Sequence, residues 1–340
     1  MKEIFTITLL IIGALIGAGF ASGQEIYSFF YAYGSSGILG IIVTCSLIGL
    51  LIYKSLQIIY DNNIENYSEF LRVFIKNDKV VAVINNIINI LLLVTFYIMI
   101  AGFGAYFQQE FEINKIIGSA ILATLSAIVF FTSVKGVLKV SEFIVPVLLI
   151  FIIWIGGINL FTINMDTKVL AVKSGWLLSS ISYCSYNMIL LIPVLISIKK
   201  QIKYKSNIKY IALCCGILMM TMSMLIYMLL IRTDIENSTL EMPIVYVIRT
   251  FFAKYKVVYA FIILASIFTT AISIGIGFLQ NISKNERSYP QFVIFMCITS
   301  LLVSKIGFSK LVNLLYPFFG YLGIIQIFAI LFIKKSKTII

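Results

Sequence analysis

The sequence predicts an all-α membrane protein of about ten transmembrane helices, arranged as two inverted halves of five with the first and sixth helices discontinuous. Composition is the first reason. The 340 residues are 61% hydrophobic and 12% charged, with a mean hydropathy of +1.04, which no water-soluble domain sustains. Spacing is the second: a membrane span needs about 20 apolar residues, and such runs recur near 4–31, 36–59, 80–108, 114–132, 140–161, 174–198, 207–231, 256–282, 289–305 and 310–333. The third is that two of these runs, the first and the sixth, carry glycines or hydroxyls in place of a plain aliphatic helix. The runs fill one transmembrane domain, 1–340, with a first repeat at about 4–161 and a second at about 174–333. They leave no room for a soluble catalytic domain.

The first run contains GALIGAGFASGQE, residues 13–25, with glycines at 13, 17, 19 and 23. Freed backbone groups are tolerated in lipid only where protein buries them or a wet cavity receives them. A glycine-broken span that ends in Ser22, Gln24 and Glu25 therefore reads as two half-helices facing a site. The competing reading is close helix packing, since Gly13/Gly17 and Gly19/Gly23 are both small-xxx-small pairs. The run is too long for a cleavable signal and lacks a small-residue cleavage site.

Between the second and third runs, residues 61–77 place Ile64, Tyr67, Phe70, Leu71 and Phe74 at helical spacing, which predicts a short amphipathic helix on the inner surface. In the third run Tyr97 sits in mid-membrane near Gly102 and Gly104. The fifth opens with Glu142 and holds Pro146, which predicts a kink. In the sixth, Ser179, Ser180, Ser182, Tyr183, Ser185, Tyr186 and Asn187 form the densest polar patch of any apolar run. Serines can bond back to their own helix, but six hydroxyls and a carboxamide exceed that need, so a second discontinuous helix is expected. Residues 234–255 admit two readings, an outer lid or a loop packed on the bundle. In the eighth run Ser266, Thr269, Thr270 and Ser273 share one helix face. That stripe serves either as helix–helix glue or as half of an oxygen cage for a hard cation.

Of the 26 Lys and Arg, 17 fall on one side when the N-terminus is placed inside. This asymmetry predicts both termini in the cytoplasm and an even number of spans. It also explains the net charge of +12 without a nucleic-acid partner. The five cysteines all lie in apolar runs and the chain has no histidine, so neither a disulfide framework nor a Cys/His metal site is expected. Corresponding interrupted spans in two halves point to a midplane solute site in an inverted-repeat transporter.

GALIGAGFASGQEI, followed by Phe29-Phe30 and Gly34-Ser35-Ser36-Gly37, resembles the YkvI family of bacterial membrane proteins. That family is similar to the amino acid–polyamine–organocation transporters with the LeuT-type fold. The resemblance implies a sodium ion between the break of the first span and the eighth span. Its ligands here would be the carbonyls of Gly13, Ile16 and Ser266 and the hydroxyls of Thr269 and Thr270, an all-oxygen set that suits a hard cation. Ala14 stands where related sodium-coupled members often place a polar residue for a second ion, so one cation site at most is expected. The solute would lie beside it. Freed N–H groups around Gly17, Ala18 and Gly19 favour a carboxylate, Tyr97 bonds the same group, and Ser182, Tyr183 and Asn187 line the other wall.

Glu25 is the one acid expected inside a span, and such an acid marks function by default. It binds a solute ammonium, takes a coupling proton, or caps an aqueous vestibule. The expected function is secondary transport of a small organic solute such as an amino acid, coupled to Na⁺ or H⁺ and needing no cofactor. The alternative is a non-transporting ligand sensor of the same fold, such as a germinant-receptor-like membrane subunit. An enzyme is not expected, because the chain lacks histidine, paired intramembrane acids and a nucleophile–base set.

Overall fold

The computed structural model describes residues 2–132, 135–162, 172–231, 240–283 and 287–332, with side chains of 2 and 135–142 set aside. Glu142 and residues 232–239, which overlap the start of the 234–255 connection, therefore lie outside the described side chains, as do Lys2, Lys135, Lys139, Lys168, Arg232, Lys284, Lys334, Lys335 and Lys337 of the charge asymmetry. Among the described residues all regular structure is helical. Seven helices among the described residues are long and apolar enough to cross a membrane: α4 (Ser36–Asp61), α6 (Asp78–Phe111), α8 (Lys135–Thr162), α9 (Trp176–Ile198), α10 (Asn207–Ile231), α12 (Lys256–Ile282) and α14 (Phe308–Phe332). Three more are apolar but shorter, α1 (Lys2–Leu15), α7 (Lys115–Phe131) and α13 (Tyr289–Ser304). The chain is a multi-pass membrane protein.

The first run is divided into α1, α2 (Ala18–Ala21) and α3 (Gln24–Phe29). Ile16 still donates its N–H to Ile12 at 2.8 Å, but Gly17 is extended, with φ −88° and ψ −173°, and the ladder stops there. Six residues later Gly23 takes φ +79°, a left-handed conformation that costs any residue with a Cβ about 1–2 kcal/mol. A Cβ there would also fall 2.4 Å from Ile244 of α11 (Pro243–Phe251).

The sixth run behaves differently from expectation. Residues 176–198 form one unbroken helix, α9, with Pro193 inside it, so the sixth span is not discontinuous here. Its polar groups find acceptors without any unwinding. Ser180 donates to the Trp176 carbonyl and Ser185 to the Ile181 carbonyl, each at 2.7 Å, and Asn187 donates to the Tyr183 carbonyl at 2.9 Å. Ser179 and Ser182 reach out instead, to the carbonyls of Phe29 and Pro317.

The amphipathic helix after α4 is confined to α5 (Tyr67–Arg72). Asn66 caps it by accepting the Glu69 N–H at 2.9 Å, and Glu69 accepts the Glu65 N–H in return at 2.7 Å. Phe70 and Leu71 are buried beneath it, and Tyr67 donates to Gln326 of α14 at 2.8 Å. Pro146 lies within α8 without ending it.

Helices meet closely where small residues allow it. α14 packs on α9 with Gly320 and Gly323 against the carbonyls of Ser182 and Ser185. α4 packs on α10 through Gly49 and Gly216. α6 packs against α12, and α7 against α13.

Gly320→Ala would bring a Cβ to 2.5 Å from the Ser182 backbone oxygen. It is expected to lower the unfolding temperature in detergent, at an overpacking cost of about 1–3 kcal/mol. Gly157→Ala, whose Cβ meets nothing within 4 Å, should leave that temperature unchanged.

Candidate functional site

The end of α1 leaves backbone acceptors without partners. Among the described residues no N–H or side chain donates to the carbonyls of Gly13, Ala14, Leu15 or Ile16. A helix terminus normally hands these four groups to water or to caps, and lipid offers neither. The neighbours of the break are α8 and α12. A Cβ on Gly13 would stand 3.1 Å from Val145, and one on Gly17 would stand 3.8 Å from the Thr270 methyl. On α12, Ser266 and Thr269 are buried. Thr269 donates to the Ser266 carbonyl at 3.2 Å and accepts at its own carbonyl from Ser273 at 2.9 Å. Lower on the same helix Tyr259 donates to the Ala21 carbonyl, tying α12 to α2.

α2 and α3 fold back so that Glu25 lies against Gly19. A Cβ at Gly19 would sit 2.2 Å from Glu25 Oε1, so only a glycine permits this approach. Glu25 is 4% exposed. Its Oε2 accepts from Tyr183 at 3.1 Å and from Tyr186 at 2.6 Å. The two tyrosines come from one helix, three residues apart, and therefore share a face of α9. Phe29 and Phe30 each meet the Tyr183 ring edge-on at 5.1 Å, and Tyr316 of α14 stacks on Tyr186 at 4.6 Å. Three helices thus converge on one carboxyl group.

The structure brings together only part of the expected solute wall. Glu25, Gly19 and Tyr183 meet, while Ala18 is buried beside them in α2. Ser22 caps locally, donating to the Gly19 carbonyl at 3.0 Å. Gln24 points away, donating to Ser309 of α14 at 2.8 Å and to Ser28 at 3.2 Å. Its buried Oε1 has no partner among the described residues. Tyr97 donates to Thr299 of α13 at 2.6 Å, and Ser182 and Asn187 are spent on helix carbonyls. Tyr186, Tyr316 and Tyr259 are the residues that sequence reasoning missed. An acid in an apolar run requires donors nearby, and tyrosines at spacing three on the polar sixth run were the available signal.

α11 packs against the broken first span. The Ile244 N–H donates to the Ser22 carbonyl at 2.9 Å, and Ile244, Val245, Val247 and Ile248 are buried. Of the two readings of the 234–255 connection, the described part is a helix packed on the broken span.

No family model matches the sequence. The membrane protein YkvI of Bacillus subtilis (strain 168), itself uncharacterized, is 30% identical over 334 residues, covering 96% of this chain and 94% of that protein. The chain belongs to the YkvI family. The uncharacterized protein YyaD of the same organism is 26% identical over 331 residues, covering 93% of this chain and 92% of its own length. The inward-facing conformation of Mhp1 superposes on this YkvI-family chain with a TM-score of 0.67 at 11% identity, covering 96% of this chain and 75% of Mhp1. Mhp1 in a closed conformation, described as a nucleobase-cation-symport-1 family transporter with bromovinylhydantoin bound, gives 0.59 at 12% identity over 92% and 74%. At such identities the likeness is one of fold.

In this YkvI-family protein, Tyr186→Phe removes one of two donors to a buried carboxyl group. The expected destabilisation is about 1.5–3 kcal/mol, read as a lower unfolding temperature. Tyr97→Phe leaves Thr299 bonded to the Phe295 carbonyl and should cost at most about 1 kcal/mol.

Proposed function

We propose that this protein is a secondary active transporter that moves a small organic solute by alternating access, coupled to a monovalent cation. The observation that carries this reading is the interrupted first span, whose Gly13 and Ile16 carbonyls receive no donor among the described residues and whose Gly17 lies beside Thr270 of a hydroxyl-bearing helix. An apolar bundle gains nothing from such a break, since lipid penalises freed carbonyls. A cation supplies what they lack. The carbonyls of Gly13, Ile16 and Ser266 with the hydroxyls of Thr269 and Thr270 make an oxygen set suited to Na⁺. The cation symport named for Mhp1 favours the same reading.

The ten apolar helices are read as two inverted halves of five, with the spans of the first half running to Thr162 and those of the second beginning at Trp176. Two features support this. α5 follows the second span of one half and α11 the second span of the other. The pairs α4 with α10, α6 with α12 and α7 with α13 each join corresponding spans. Inversion then sets α5 and α11 on opposite faces, with both termini cytoplasmic. The solute pocket lies beside Gly17, Ala18 and Gly19, walled by Tyr183.

Purified protein in liposomes tests the reading. A Na⁺ gradient, but not a K⁺ gradient, should drive solute uptake, and Thr270→Ala should abolish the Na⁺ dependence. Uptake that ignores both the gradient and the substitution removes this cation site. A ligand sensor of the same fold would bind solute without counterflow.

A further inference from the structure

Glu25 is a carboxyl group buried at the centre of the bundle, and the cation site does not use it. Among the described residues no Lys or Arg pairs with it. Both phenol donors go to Oε2, and none reaches Oε1. The charge is therefore half served, with one oxygen turned toward Gly19 at the break of the first span. Around it stand the rings of Phe29, Tyr183, Tyr186 and Tyr316, all at most 3% exposed. The hydroxyls of Tyr183 and Tyr186 meet Oε2 and the rings behind them shield the carboxyl group from water, so a cation reaching Oε1 meets it in a low-dielectric setting.

The same placement decides against a solute carboxylate. A carboxylate approaching Gly17–Gly19 would meet Glu25 Oε1 lying over Gly19. Two carboxylates in hydrogen-bond range inside a low-dielectric bundle repel strongly. We propose that Glu25, held at Oε2 by the hydroxyls of Tyr183 and Tyr186, is the receptor for the ammonium group of an organic amine, and that Glu25 excludes amines that also bear an α-carboxylate. Glu25 occupies the position that a solute carboxylate would otherwise take. The sequence-based expectation of an amino acid is replaced by an amine without the acid group. This rests on the reading that the interrupted first span is the solute site.

Three probes separate the charges on one carbon skeleton: n-pentylammonium, norleucine, which adds an α-carboxylate to it, and hexanoate, which keeps only the acid. Thermal unfolding of the full-length protein in detergent reads binding, and counterflow in liposomes reads transport. n-Pentylammonium should raise the unfolding temperature at concentrations where norleucine and hexanoate do not. Glu25→Gln should weaken that effect by at least about tenfold, and Tyr186→Phe by a smaller factor. If Glu25→Gln does not fold, the ranking of the three probes on the unaltered protein decides alone. Equal or stronger stabilisation by norleucine or hexanoate, an unchanged response of Glu25→Gln, or no response to any probe overturns the assignment. Stabilisation by n-pentylammonium without counterflow keeps the amine site and rejects transport. Counterflow of norleucine but not n-pentylammonium keeps transport and rejects the amine site.

Discussion

The hydrogen-bond ladder of the first span stops at Gly17, and the rest of the molecule is arranged around that stop. In the hydrocarbon each freed carbonyl costs several kcal/mol unless something meets it. The chain surrounds the interruption on every side that the structure describes. α8 presents Val145 to Gly13, α12 presents Thr270 to Gly17, α9 sends two phenols to Glu25, and α11 rests its first turn on Ser22. A bundle of ten plain helices would need none of these contacts.

Much of this was legible from residues 13–25. Each of the four glycines has its own neighbour, at Val145, Thr270, Glu25 and Ile244, so the small-xxx-small reading of them as one helix seam is not what the structure shows. The glycine spacing was informative because lipid leaves a break no cheap alternative. The polar sixth run misled for the opposite reason. Serine and asparagine can satisfy themselves on the preceding turn of an intact helix, as Ser180, Ser185 and Asn187 do. Polar density alone therefore does not distinguish an unwound helix from a self-bonded one.

The site was less legible than the fold because partnership is a property of three dimensions. Tyr97 and Gln24 looked like solute contacts along the chain. The first belongs to Thr299, 202 residues away, and the second to Ser309, 285 residues away. Conversely, Tyr316 enters only because α14 packs on α9 through Gly320 and Gly323. That close approach brings the Tyr316 ring onto Tyr186. The small residues on α14 thus set the width of the aromatic wall as much as the tyrosines do.

The contact between α11 and the first span is made by backbone, the Ile244 amide on the Ser22 carbonyl. Main-chain atoms do not depend on the side chain, so this join survives drift at both positions so long as 244 is not proline. α11 and the broken span are in that sense one mechanical part. Side chains along α11 can change without severing its grip on the interruption.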